Sequence, residues 1–81
     1  PYVVRRTKQG LLPVYTNLRN GGSRVLTTIK RIEGDVDLFV QELVATKPHL
    51  ATLIVKYKFN IITIKGNHRE NIKQWLAEKD F

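Results

Sequence analysis

Asn20-Gly21-Gly22-Ser23 is the strongest turn signal in the chain, with strand-forming residues on both sides. A turn of that kind joins two antiparallel strands, so a hairpin is the first element the sequence demands. Leu12-Pro13-Val14-Tyr15-Thr16 leads into it, and Arg24 to Ile32, rich in Val, Leu, Thr and Ile, leads out. Pro13 has no N–H to donate, which suits an edge strand or a strand start. Leu26 breaks the alternation of Val25, Thr27 and Ile29, and a bulge would reconcile the two faces. Tyr2 to Thr7 reads as an earlier strand turned by Gln9-Gly10. Leu53–Lys58 and Asn60–Lys65 read as two more, Lys56 and Lys58 sharing one side of their strand and Val55 and Tyr57 the other.

Two segments change period. In 35–46, Val36, Phe39, Val40, Leu43 and Val44 fall on one stripe of a 3.6-residue repeat. Asp35 is placed to accept from the free N–H groups of the first turn, Asp37 complements the helix dipole, and Lys47-Pro48 makes a stop. Asn67 with Glu70 three residues on resembles a capping box, and Ile72, Trp75, Leu76 and Lys79 share a face beyond it. The expected fold class is α+β: a single largely antiparallel sheet with two helices packed on one face, in the order β-β-β-α-β-β-α. With 81 residues this makes one domain, spanning 1–81. A domain so small buries only ~60% of the surface of its unfolded chain, so its own core is marginal.

Charge is sorted along this pattern. The net charge is +7. Residues 1–32 carry seven bases and no acid, and 33–46 carry Glu33, Asp35, Asp37 and Glu42 and no base. Residues 47–69 carry five bases and no acid, while the last twelve residues sum to −1. The acidic blocks coincide with helices and the basic blocks with strands. An acidic helix layer against a basic sheet layer is the footprint of a protein that presses its sheet side or loops against a polyanion. Membrane insertion is not expected, because uninterrupted apolar stretches reach three or four residues against the ~20 that span a bilayer. A peripheral membrane role lacks a basic amphipathic helix. The chain starts at Pro1 and holds no Met. It is therefore expected to be a processed or trimmed part of something longer, which a removed targeting peptide, a trimmed boundary or a disordered leader would each explain.

Catalysis has little to stand on. Cysteine is absent. His49 and His68 are nineteen apart with no carboxylate at ligand spacing to either, so neither a metal nor another cofactor is expected. Asp35 and Asp37, two apart on a helix, do not face each other. Ser23 is the single serine and sits in the turn, no Gly-rich sequence ends in Gly-Lys-Ser/Thr, and Gly21-Gly22 is followed by Ser23 where a release-factor-like hydrolase needs Gln. No catalytic residue and no small-molecule substrate are expected.

Several stretches carry a family likeness in order: Leu12-Pro13-Val14-Tyr15, Arg19-Asn20-Gly21-Gly22, Leu26-Thr27-Thr28-Ile29 and Ile32-Glu33-Gly34-Asp35. Ile64-Lys65-Gly66 and the closing Lys73-Gln74-Trp75-Leu76-Ala77-Glu78-Lys79-Asp80-Phe81 complete it. Together they resemble the family of mitochondrial large-subunit ribosomal protein forty-nine, the fungal integrity-of-mitochondrial-genome family, from about Tyr2 to Phe81. Asp80 stands where that family shows Gly before the final Phe. A wider likeness, carried by Arg19-Asn20-Gly21, Leu26-Thr27-Thr28 and Ile64-Lys65-Gly66-Asn67-His68-Arg69, is to eukaryotic translation initiation factor one, whose fold is a sheet with two helices on one face. The resemblance implies a structural, ribosomal-RNA-binding protein of the large subunit in the mitochondrial matrix, braced by neighbouring ribosomal proteins. The alternative it leaves open is a free factor that binds the small subunit reversibly.

On that reading the hairpin tip is the first candidate for RNA contact. Gly21 and Gly22 hold no side chain between backbone and phosphate, Asn20 lies beside them, and Arg19 and Arg24 can fork onto phosphate oxygens. A solvated tip would use the same residue types. Arg5, Arg6 and Lys8 form either a basic arm on RNA or an edge strand kept charged against aggregation. Lys30, Arg31, Lys56, Lys58 and Lys65 are further candidates. His68 and Arg69 read as a plain first-turn pair. Trp75 reads as core because it shares a stripe with Ile72 and Leu76, and Tyr57 and Phe59 read as core because their strand face holds Val55. Tyr15 stays open between core and contact.

Overall fold

The computed structural model describes the backbone of residues 1–81 and every side chain but those of Lys56 and Lys58. The candidate contacts of these two lysines lie outside the described residues. The elements run β1 (Tyr2–Val4), β2 (Val14–Arg19), β3 (Arg24–Ile29), β4 (Ile32–Gly34), α1 (Val36–Thr46), β5 (Ile54–Lys58), β6 (Ile61–Lys65) and α2 (Arg69–Glu78). The class is α+β and all pairings are antiparallel, but there are two sheets where the sequence predicts one. Four strands pair in the order β2-β3-β6-β5, and β1 pairs with β4 alone.

The extra sheet arises from a break in the run Arg24 to Ile32. Ile29 and Ile32 are both buried, 0% and 1% exposed, although residues three apart in a straight strand point to opposite faces. Arg31 resolves the conflict by taking φ +58°. The chain turns there, and Ile32–Gly34 leaves the large sheet to pair with β1. Gly34 closes this small ladder at φ +100°, where an added Cβ would lie 2.6 Å from the Pro1 carbonyl oxygen. Only glycine meets both conditions. Tyr2–Thr7 accordingly forms a strand only as far as Val4.

Leu26 needs no bulge. β2 and β3 pair without interruption from Val14↔Ile29 to Arg19↔Arg24. Leu26 lies on the face opposite Thr27 and Ile29 and is buried there, 8% exposed. The irregularity falls in β5, between Ile54 and Lys56. It sets Ile54 opposite Ile64 and Tyr57 opposite Ile62, so two residues three apart share a face while Val55 is left as the extra residue.

Register defines the core. Val14, Ile29, Ile62 and Ile64 occupy one face of the four-stranded sheet and join a single cluster with Phe39 and Leu43 of α1 and with Ile72, Trp75 and Leu76 of α2. Both helices therefore pack on that face. Trp75 is core, 5% exposed, with its ring edge-on to Phe39 at 5.5 Å between centroids. Asp35 caps α1 by accepting from the Leu38 N–H at 3.0 Å, and the helix ends at Thr46 with Lys47 as its cap before Pro48.

The start of α2 differs from a capping box. The helix begins at Arg69, and Asn67 Oδ1 accepts only weakly from the Arg69 N–H, at 3.4 Å. The closer partner comes from β3: the fully buried Thr27 hydroxyl donates to the Gly66 carbonyl at 2.7 Å and accepts from the His68 N–H at 2.9 Å. At its other end α2 closes in a Schellman motif, with Asp80 N–H bonded to the Ala77 carbonyl at 3.0 Å and Phe81 N–H to the Leu76 carbonyl at 3.2 Å. Asp80 takes φ +67° there, the backbone conformation that glycine adopts most easily.

One polar knot ties the ends of the chain to α1. Glu42 Oε1 accepts from the Tyr2 hydroxyl at 3.1 Å and from Lys79 Nζ at 3.2 Å. Burial, and then the bond to Glu42, push the Tyr2 hydroxyl above its usual pKa. The same carboxylate raises that of Lys79.

Candidate nucleic-acid interface

The face of the sheet turned away from the helices holds Tyr15, Asn17 and Arg19 from β2, Arg24, Leu26 and Thr28 from β3, and Ile61, Thr63 and Lys65 from β6. Lys30 joins them just past β3, with its ammonium 5.5 Å from the centre of the Tyr15 ring. Among these residues there is no acid. Leu26, although buried on this face, lies outside the core cluster that the helices cover.

Arg19 and Arg24 are direct cross-strand partners on this face. Like charges set opposite each other destabilise a hairpin. Both side chains are exposed, and an anion between them would turn the repulsion into attraction. The tip they flank is made of Asn20, Gly21 and Gly22, all at positive φ: +53°, +66° and +92°. An added Cβ at either glycine would meet nothing within 4 Å. Backbone conformation rather than crowding therefore requires glycine, and the space beside it is open. The hairpin also outruns the helices, since Leu18 is 65% exposed although it lies on the helix side of β2.

The sequence-predicted residues divide. Arg19, Asn20, Gly21, Gly22, Arg24, Lys30 and Lys65 come together on the open face and its tip. Arg5 and Arg6 have partners within the chain. Arg5 Nε is 3.1 Å from Glu33 Oε1, and Arg6 donates to the Phe81 carbonyl at 2.8 Å and also to the Gly10 carbonyl. Lys8 is exposed in the turn that Gly10 closes on Thr7, and Arg31 is exposed at the break after β3. His68 precedes α2, its Nε2 2.9 Å from the Lys65 carbonyl oxygen, and Arg69 opens the helix 4.0 Å from Glu70. The two histidine rings meet at 6.0 Å, and no group of three metal-ligating side chains occurs among the described residues.

Tyr57 and Phe59 are not core. Tyr57 is 44% exposed at the sheet edge and Phe59 is 87% exposed. The strand stops at Lys58, so Phe59 belongs to the turn. The sequence also left unmarked a concavity of about 330 Å³ on the open face, lined by Asn17, Arg19, Thr28, Lys30, Phe59, Ile61 and Thr63. Asn17 Nδ2 donates to Thr28 Oγ1 across it at 2.6 Å. Pairing β2 to β3 outward from the Asn20–Ser23 turn would have brought Asn17 and Thr28 to one face.

Fold and face define a class: a small α+β protein with two helices on one side of an antiparallel sheet and a cationic surface, complementary to a polyanion, on the other. Residues 1–81 match the family described as mitochondrial large subunit ribosomal protein (Img2). Over 79 residues the chain is 33% identical to large ribosomal subunit protein mL49 of Schizosaccharomyces pombe, which covers 96% of this chain and 75% of that protein. Over 77 residues it is 31% identical to mL49 of Neurospora crassa, covering 94% of this chain and 47% of that one. The chain belongs to this family of mitochondrial large-subunit ribosomal proteins, which are structural proteins and not enzymes.

Proposed function

We propose that the chain is a structural constituent of the mitochondrial large ribosomal subunit that grips ribosomal RNA with the open sheet face and the Arg19–Arg24 tip. The observation that carries this reading is the acid-free face on which Arg19 and Arg24 stand opposite each other. Phosphate contacts there supply affinity and position, while RNA shape supplies specificity. α1, which carries Asp37 and Glu42 and no base, turns toward neighbouring ribosomal proteins. Assembly adds burial that a chain of this size lacks, so binding stabilises the folded state.

The test is a salt titration of binding to RNA extracted from the large subunit, for the native chain and for Arg19→Gln/Arg24→Gln. Each lost phosphate contact flattens the log–log slope by about 0.7–0.9, so the double variant is expected to lose roughly 1.5 from its slope. An unchanged slope would remove this face from the interface. In salt-washed gradients the protein is expected to stay with large subunits. Release to the top, or recovery with small subunits, would favour a reversibly bound factor.

A further inference from the structure

Phe59 occupies a turn position that its own chemistry does not favour. Lys58 pairs with Ile61, so Phe59 and Asn60 form a two-residue hairpin loop, with φ +56° and +61°. This is the type I′ pattern, which needs positive φ at both central residues and is normally met by Asn and Gly. Asn60 fits. Phe59 is a bulky side chain held in the left-handed region, and it is 87% exposed, so burial does not offset the strain. Backbone strain of this sort collects where a ligand is held.

The surroundings say which ligand. Phe59 lines the open-face concavity with Asn17, Arg19, Thr28, Lys30 and Thr63. The hollow thus combines an aromatic ring, two cations, an amide and two hydroxyls, with no acid. An aromatic ring accepts the flat side of any base, cations take the phosphate, and amides and hydroxyls bond base edges. The bond from Asn17 Nδ2 to Thr28 Oγ1 holds the amide in one orientation.

We propose that Phe59 is a stacking platform for one unpaired RNA nucleotide, its base on the ring and its phosphate between Arg19 and Lys30. This rests on the open face being the RNA surface. It narrows that reading to a loop, bulge or single strand, because paired bases already stack on one another and do not enter such a hollow.

The experiment measures binding of the full chain to a short oligoadenylate, single-stranded and paired with oligouridylate, at several salt concentrations. Phe59→Asn suits the turn and should keep or raise the melting temperature. It is expected to weaken single-strand binding roughly 5- to 100-fold, to leave duplex binding nearly unchanged, and to preserve the salt slope because no charge is removed. Phe59→Tyr should retain affinity. Equal binding by Phe59→Asn and the native chain, an equal loss on both probes, or a changed slope would overturn the platform and leave the cationic face standing. Failure of the native chain to bind either probe at low salt would overturn both readings. Normal oligoadenylate binding by Phe59→Asn, with loss of its incorporation into large subunits, would assign Phe59 to a protein contact and overturn the proposal as well.

Discussion

Thr27 and Thr28 are adjacent, chemically identical and on opposite faces of one sheet. The Thr27 hydroxyl is spent inside the fold, bridging the Gly66 carbonyl and the His68 N–H at the start of α2. The Thr28 hydroxyl accepts from Asn17 on the open side, at the floor of the concavity. The contrast extends along the whole sheet. Toward the helices stand Val14, Ile29, Ile62 and Ile64, none more than 2% exposed. Away from them stand Arg19, Arg24, Lys30 and Lys65 with Tyr15, Asn17 and Thr63. One backbone therefore presents a face that holds the protein together and a face free to hold something else. Period-2 geometry makes the two separable by mutation, residue by residue.

The largest effect is expected from Ile29→Ala. Removing a fully buried branched side chain costs about 2–5 kcal/mol, which in a domain of this size lowers Tm by about 4–8 °C per kcal/mol. Thr28→Ala, one residue earlier, loses a single hydrogen bond worth about 1 kcal/mol. Thermal melts of the pair check the contrast, and similar losses would mean that the faces are not energetically distinct. Thr27→Val sharpens it. It leaves the Gly66 carbonyl and the His68 N–H without their partner and should cost about 1–3 kcal/mol, with the loss of hydrogen-exchange protection concentrated at the start of α2. Protection lost evenly along the chain would show that Thr27 acts through packing alone.

The smallest effect runs the other way. Asp80→Gly relieves a side chain held at φ +67° and should stabilise by about 1 kcal/mol, raising Tm without altering RNA affinity or its salt slope. An affinity that rose with stability would tie the two faces together and break the comparison.

Much of this was legible in the residues. The Asn20–Ser23 turn announces the hairpin, the apolar stripes announce both helices, Asp35 is the N-cap in the sequence and in the structure, and Trp75 follows its stripe into the core. These are local matters, settled by turn chemistry, capping and periodicity within a dozen residues. The sorting of acids from bases through residues 1–69 is likewise legible in the sequence, and it already implied a cationic sheet layer.

Other features needed contacts between distant segments. The break at Arg31 follows from two isoleucines three apart entering one core, which no local preference for a strand reveals. Arg5 and Arg6 read as free cations until Glu33 and the Phe81 carbonyl come within reach. The capping box at Asn67 gave way to Thr27, forty-one residues from the N–H it serves. Phe59 looked like one more apolar residue in a strand until the register of β5 on β6 placed it in the turn. The two helices, the Asn20–Ser23 hairpin and the sorting of charge through residues 1–69 belong to the sequence by itself, because capping, periodicity and turn chemistry act over one or two turns of chain and charge is read directly from residue type. Strand partners, the second sheet and the hollow on the open face belong to the tertiary structure, because each depends on which remote side chains compete for the same buried volume or the same hydrogen bond.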